Sequence, residues 1–236
     1  MSSWTNLTPP AGSSNLPVRF LPAMTYYPAG HDVILFGGYG EVGIAPWSFY
    51  QDTWSFVNNR WTETISNKSC APTTCPSPRA GAMLANYGPD NALLLFGGYT
   101  YSPNITYVPY NDTWLYSGGA WTNITPTAGP APSARFESSM VWDSYDNDVL
   151  LFGGSLASGT TLGDTWTFNG SWHNITASLS PAPVSRAGAA ITDSPSGWIL
   201  LFGGEHNGVV IIDPNCGQST VAWWFFDGKW QYLGEP

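Results

Sequence analysis

Four short, continuous apolar runs recur along the chain: Val33-Ile-Leu-Phe36, Leu93-Leu-Leu-Phe96, Val149-Leu-Leu-Phe152 and Ile199-Leu-Leu-Phe202. Such a run predicts a strand covered on both faces, because no polar side alternates with the apolar one. Each is preceded by a turn rich in Gly, Pro, Asp, Asn and Ser, as in Gly88-Pro-Asp-Asn91, Asp146-Asn-Asp148 and Ser194-Pro-Ser-Gly197. Before that turn lies a strand of small and apolar residues, such as Ala80-Gly-Ala-Met-Leu84 and Phe136-Glu-Ser-Ser-Met-Val141. Downstream, Trp54-Ser-Phe56 and Trp166-Thr-Phe168 alternate and then turn at Gly118-Gly119 or Asn169-Gly170, which predicts hairpins. A more polar fourth strand follows, Trp121-Thr-Asn-Ile-Thr125 or Trp172-His-Asn-Ile-Thr176, suited to a sheet edge. No segment combines a helical period with start and stop signals.

The recurrence is an internal repeat. Phe-Gly-Gly occurs four times, with first glycines at Gly37, Gly97, Gly153 and Gly203. Arg19, Arg79, Arg135 and Arg186 precede them by 18, 18, 18 and 17 residues. A Trp follows each doublet (Trp54, Trp114, Trp166, Trp224), and a second comes 6 or 7 residues later (Trp61, Trp121, Trp172, Trp230). Asp-Thr precedes the first three of these, at Asp52, Asp112 and Asp164, whereas the fourth copy has Ala222-Trp223 there. Four-stranded sheets that must cover one another on both faces close radially, so the expected architecture is an all-β propeller.

The Arg, the apolar strand ending in Gly-Gly and the two tryptophans resemble kelch repeats over nearly the whole chain. Asn111-Asp-Thr-Trp114 with Trp121-Thr-Asn-Ile-Thr125 is similar to kelch arrays of archaeal and bacterial surface proteins. The sequence departs from eukaryotic kelch repeats in lacking a His soon after the Arg. The resemblance implies one kelch β-propeller domain over 1–236, with four blades of four antiparallel strands and repeats at approximately 17–65, 77–125, 133–176 and 184–233. Trp4-Thr-Asn-Leu-Thr8 duplicates the outer-strand motif with no blade of its own, leaving one spare outer strand at 4–8. A piece of a longer array, a closed ring with a doubled end, and a strand that pairs with another protomer all accommodate it.

Composition narrows the function. The 236 residues carry 7 Lys+Arg against 16 Asp+Glu, a net charge of −9, which disfavours nucleic acid and anionic membranes. No apolar run reaches the ~20 residues needed to span a bilayer. Met1-Ser-Ser-Trp4 has neither a basic nor an apolar leader region, so no signal peptide is expected. Aromatics make up 15% of residues and charged residues only 10%, which directs attention to ring faces rather than ions. The loops after Gly-Gly are long and aromatic and emerge with the inter-blade loops on one face. Tyr39, Trp47, Tyr50, Tyr101, Tyr107, Tyr110 and His206 are the candidate ligand-binding residues there. The alternative is that these rings pack on one another to order the loops.

Catalytic candidates are few. Gly38-Tyr-Gly40-Glu-Val-Gly43 matches a dinucleotide fingerprint, but Pro46 and aromatics stand where a helix is needed. Asp143, Asp146 and Asp148 lack the Gly and Glu of a calcium loop and read as a solvated turn. His31, His173 and His206 are scattered, giving no triad order. Kelch oxidases hold copper with Tyr and His and cross-link a Cys to one Tyr; that constellation has no residue-by-residue match here. The repeated Arg residues are expected to bond neighbouring carbonyls or an Asp rather than an anion. No cofactor and no metal are expected.

Cys70 and Cys75 enclose a Pro/Thr-rich loop and are expected to form a disulfide, while Cys216 stands alone. Asn-x-Ser/Thr occurs seven times, at Asn6, Asn67, Asn104, Asn111, Asn123, Asn169 and Asn174. Together they point to an exported, glycosylated, extracellular or cell-surface module. The expected function is non-catalytic binding or assembly, with a protein or glycan partner on the long-loop face. The alternatives are a carbohydrate-active or oxidising enzyme with its pocket there, or a structural subunit joined by outer-strand exchange.

Overall fold

The computed structural model describes residues 16–40, 48–104, 106–210 and 222–233. Four antiparallel four-stranded sheets follow one another along the chain. Blade one comprises Ala23–Tyr27, Asp32–Phe36, Thr53–Val57 and Arg60–Ile65. Blade two comprises Met83–Tyr87, Ala92–Phe96, Thr113–Ser117 and Ala120–Asn123. Blade three comprises Ser139–Asp143, Asp148–Phe152, Thr165–Phe168 and Trp172–Asn174. Blade four comprises Ala190–Asp193, Ile199–Phe202, Ala222–Phe226 and Lys229–Tyr232. Strand order within each sheet follows chain order, so every connection is a hairpin. The described residues hold two single-turn 3-10 segments, Gly88–Asp90 and Thr176–Ser178, and no α-helix. The expected all-β propeller architecture is thus present. The spare strand at 4–8 lies outside the described residues.

Local chemistry explains the hairpins. Asn58-Asn59, Gly118-Gly119 and Asp227-Gly228 join third to outer strands with positive φ at both residues. That geometry matches the right-handed twist of the flanking strands. The Gly-Gly doublets end each second strand for a different reason. At Gly37 a Cβ would lie 2.6 Å from the carbonyl oxygen of Arg79 in the next blade. A side chain there would therefore push two blades apart.

The apolar second strands are covered on both faces, as their composition requires. One apolar cluster fills each junction between successive blades. Leu93, Leu94, Leu95 and Phe96 of blade two have no exposed surface, because alternate residues feed the cores on either side. The first strands line up around a common hub. A backbone ladder joins them there: Gly81 N–H donates to Leu21 O (3.0 Å), Glu137 N–H to Gly81 O (2.9 Å) and Gly188 N–H to Glu137 O (2.8 Å).

One residue assignment needs correction. Register pairs Leu35 with Trp54, Leu95 with Trp114 and Leu151 with Trp166. In blade four Leu201 pairs with Trp223, so Trp223, and not Trp224, takes the repeat position. Strand pairing counts residues from the Gly-Gly end, and the Asp-Thr marker that would have revealed this is absent from the fourth copy.

Candidate functional site

In blades one to three the repeated Arg residues bond a neighbouring carbonyl and an Asp, as their recurrence with the structural repeat leads one to expect. Arg19 donates to both carboxylate oxygens of Asp52 (2.8 and 3.0 Å) and to Gly37 O (2.8 Å). Arg79 grips Asp112 and Gly97 O, and Arg135 grips Asp164 and Gly153 O, in the same way. Each Asp also accepts the indole N–H of the following Trp54, Trp114 or Trp166 at 2.7 Å. Burial pushes the Asp112 and Asp164 carboxyls up. The hydrogen bonds and charge of Arg79 and Arg135, with the indole, outweigh it and hold both below the usual carboxylate range. A planar five-donor fork suits this bidentate role, which a lysine would not fill.

Blade four keeps the Arg and loses its partner. Ala222 occupies the Thr position, and Val221 precedes it in the sequence where the other copies have Asp. Arg186 still donates to Gly203 O (2.9 Å), but its Nη2 is buried with no partner among the described residues, as is Trp223 Nε1. Burial lowers the Arg186 pKa to about 10. By alignment of the repeats Val221 stands at the Asp position, and Val221→Asp is expected to stabilise the fold by about 1–3 kcal/mol, read from urea unfolding. An unchanged midpoint would count against this account.

The long-loop face is built from two-stranded ribbons that follow the doublets. Tyr39–Gly40 pairs with Ser48–Phe49, Tyr99–Tyr101 with Tyr107–Pro109, and Glu205–His206 with Val209–Val210. Their rings make a continuous shelf. Phe49 meets Tyr39, Tyr99 and Tyr101 at centroid distances of 5.7, 5.7 and 5.3 Å, and Tyr107 stacks on Phe136 at 5.1 Å and 12°. Tyr107 is 41% exposed, so this edge of the shelf is open to solvent. A cleft of about 360 Å³ adjoins it, lined by Tyr107, Phe136, Glu137, Ser155, Glu205 and Asn207 among others. Burial, then the neighbouring Glu205, pushes the Glu137 carboxyl above the usual range. Neither carboxylate has an ion-pair partner among the described residues.

The candidate residues divide by position. Tyr39, Tyr101 and Tyr107 belong to the shelf. Tyr50 is buried, with the Arg19 guanidinium 4.4 Å from its ring centroid, and Tyr110 lies 4.0 Å from that of Arg79. These two rings pack the repeat and do not reach the surface of the cleft. His206 Nδ1 lies 2.8 Å from Ser185 Oγ and 2.9 Å from Ser185 O, tying the fourth ribbon to the preceding inter-blade loop. Trp47 and Cys216 lie outside the described residues. Phe136 and Glu137 did not stand out in the sequence. Aligning the repeats exposes Glu137, because Gly81 and Gly188 occupy its place in blades two and four.

The remaining candidates are local features. Asp143 accepts the N–H groups of Tyr145 and Asp146 (2.9 and 3.2 Å), which closes the turn. Burial, with Asp143 and Asp146, pushes the Asp148 carboxyl up to about 7. Among the described residues, no group of three or more His, Cys, Asp or Glu is placed to hold a metal ion. Cys70 and Cys75 are joined by a disulfide, with Cα atoms 5.4 Å apart. Asn67, Asn104, Asn111, Asn123, Asn169 and Asn174 are all exposed, and Asn6 lies outside the described residues. Two of these sequons have a structural cause. Asn123 and Asn174 accept the backbone N–H of Thr125 and Thr176, whose hydroxyls receive the N–H of Thr113 and Thr165. No helix among the described residues is long and apolar enough to cross a membrane. A hub cavity of about 410 Å³ is lined by first strands of all four blades, including Tyr26, Leu84, Met140 and Asp193.

Comparison with known proteins agrees with this geometry. The chain is 28% identical over 195 residues to the F-box/kelch-repeat protein At1g51550 of Arabidopsis thaliana, covering 77% of this chain and 38% of that protein. It is 28% identical over 224 residues to tRNA wybutosine-synthesizing protein 4 of Emericella nidulans, covering 85% and 20%. It therefore spans well under half the length of these relatives. The solved structure of YjhT superposes with a TM-score of 0.64 at 14% identity, covering 92% of this chain and 71% of that one, a likeness of fold. The KLHDC2/KLHL20/DRC7 Kelch-repeats domain model matches residues 1–204, and the chain belongs to this kelch-repeat family.

Proposed function

We propose that this chain is a non-catalytic binding module whose ligand face is the cleft beside the tyrosine shelf, and that it takes a protein segment bearing a basic side chain. Kelch-repeat domains are typically binding modules, which sets the class. One observation carries the finer reading: the exposed ring of Tyr107, backed by the buried Phe136, borders two carboxylates, Glu137 and Glu205, that lack a basic partner among the described residues. A guanidinium or ammonium is attracted by the ring face and by the carboxylates together. The net charge of −9 adds long-range attraction for such a partner. The disulfide and the exposed sequons support an extracellular setting.

Titration with N-acetyl-argininamide tests this, with the uncharged N-acetyl-citrullinamide as control. The arginine compound is expected to bind and the citrulline compound to bind at least about tenfold more weakly. Tyr107→Ala and Glu137→Gln should each weaken the arginine compound while leaving the melting temperature in place. Equal binding of both compounds would defeat the cationic reading. Loss of the fold in Tyr107→Ala would assign that ring to loop packing instead. A neutral oligosaccharide that binds where the arginine compound does not would favour a glycan ligand.

A further inference from the structure

Each blade closes its first hairpin with one pair of residues placed directly opposite each other on the first and second strands. The pairs are Tyr27 with Asp32, Tyr87 with Ala92, Asp143 with Asp148 and Asp193 with Ile199. Blade three differs from the other blades because two carboxyl groups face each other there. Opposed residues of an antiparallel pair hold their Cβ atoms about 5 Å apart, and like charges at that spacing are destabilising.

The pair is also shielded from water. Asp143 is 1% exposed and Asp148 is half-buried. Asp143 Oδ1 accepts the Tyr145 and Asp146 N–H groups, and Thr167 on the third strand donates to Asp148. One oxygen of each carboxyl remains, Asp143 Oδ2 and Asp148 Oδ1, and both are buried with no hydrogen-bond partner among the described residues. Two such carboxylates, each with an unmet acceptor, are costly to bury side by side. One proton between the two oxygens removes half of the charge and converts two orphan acceptors into a donor and its acceptor.

The surroundings offer no cation in its place. The titratable side chains that bear on the hairpin are Asp146 and Tyr145 of its own turn, Asp193 of the first strand of blade four, and Tyr87 of blade two, whose ring packs on Trp142. None of them takes part in an ion pair among the described residues. Burial, opposed by the N–H groups of the turn and joined by Asp146 and Asp193, pushes the Asp143 carboxyl up, and Asp148 stands at about 7. The hairpin belongs to the hub wall, since Trp142 and Asp193 both line the hub cavity.

We propose that Asp143 and Asp148 hold one proton between them in the folded protein, as a carboxylic acid hydrogen-bonded to a carboxylate, and that this proton is a pH-sensitive latch on the first hairpin of blade three. The proton is taken from solvent and returned to it. While it is held, Asp143 Oδ2 and Asp148 Oδ1 are joined; once it leaves, two opposed carboxylates repel and the hairpin loosens. The folded chain keeps the proton at pH values where the unfolded chain, with ordinary aspartates, has released it. The stabilisation by the latch is therefore complete below the ordinary aspartate range. It is lost as pH rises through the raised value, by up to about tenfold in the folded-to-unfolded ratio per pH unit. The sign is opposite to that of the Arg79–Asp112 and Arg135–Asp164 pairs, whose lowered carboxyls lend stability that acid removes.

Urea unfolding of the whole chain between about pH 5 and about pH 8 tests the proposal, with Asp148→Asn and Asp143→Asn beside the wild type. Asparagine keeps the shape and supplies a permanent N–H donor to the opposite carboxylate. Each variant is expected to match the wild type at the acid end, to exceed it at the alkaline end and to lose the fall between them. Asp90→Asn removes the same charge from an exposed turn of blade two and should keep the wild-type slope. Carbon-detected NMR titration of the wild-type carboxyls, which does not depend on the variants folding, should show the pair ionising in two steps, the upper one near neutrality. Equal pH slopes in the wild type and both pair variants overturn the proposal, as does a titration in which both carboxyls ionise in the ordinary aspartate range. So does a calcium-induced rise of the wild-type midpoint at the alkaline end that Asp148→Asn lacks, which would assign the orphan oxygens to a cation.

Discussion

Arg79→Ala is expected to lower the unfolding free energy by about 3–5 kcal/mol, because it strands a carboxylate inside the fold. Arg79 has no exposed surface and holds Asp112 with both Nη atoms, while Nη1 also reaches Gly97 O and Nε reaches Ser77 O. After its removal Asp112 keeps the Trp114 indole but loses the opposite charge. The Asp112 side chain is 22% exposed, so water screens part of the loss and the lower half of the range is expected. In a domain of this size that displaces the melting temperature by on the order of 10 °C. Arg186→Ala is the control. Arg186 is equally buried and binds the matching glycine carbonyl, but no carboxylate faces it among the described residues. Its loss is expected to cost under about 2 kcal/mol. Equal losses for the two variants, measured by chemical denaturation, would show that the Arg–Asp pair adds nothing beyond the carbonyl bonds. With Asp112→Asn, a double-mutant cycle isolates the pair itself.

The second large effect separates two tryptophans that look alike in sequence. Trp172→Ala is expected to cost about 3–5 kcal/mol, the range for an aromatic truncated in a packed core. Its ring meets Phe96 and Phe168 at 5.0 and 5.1 Å, and its indole serves the buried Thr113 hydroxyl. Trp61→Ala removes the ring at the same repeat position in blade one, which has no preceding blade among the described residues. There the half-buried ring has Phe56 at 5.0 Å, and a loss below about 1 kcal/mol is expected. Comparable losses, read from chemical denaturation, would mean that the outer face of blade one is packed as fully as the junctions between blades.

Most of the blade was legible in the chain because its determinants are local. A continuous apolar strand, a glycine pair, an alternating strand and a turn each act within about ten residues, and the repeat multiplies the signal. The Arg–Asp–Trp cluster was half legible. Its members recur in register, but residues 33 apart meet only after the hairpins form, as Arg79 and Asp112 do. The fourth copy shows the limit. Without Asp-Thr the adjacent Trp223 and Trp224 cannot be told apart by spacing, and strand pairing decides between them.

The candidate site was legible as a face and not as a set of residues. Tyr39, Tyr50, Tyr101, Tyr107 and Tyr110 are the same amino acid in similar loops, yet two lie against buried guanidinium groups and three join a shelf. Nothing within a few residues of each tyrosine distinguishes those fates. They depend on the Arg at the start of the same repeat, which lies far upstream of Tyr50 and of Tyr110 in the chain and meets the ring only once the strands between them have paired. The nearness of Glu137 and Glu205, 68 residues apart in the chain, likewise arises from the hub. Sequence alone therefore determined the strands, the turns and the repeating unit, since these are governed by short-range sterics and by which faces must avoid water. Only the tertiary structure decided which rings face solvent and which lie against a guanidinium, because that depends on contacts, within and between repeats, among residues far apart in the chain.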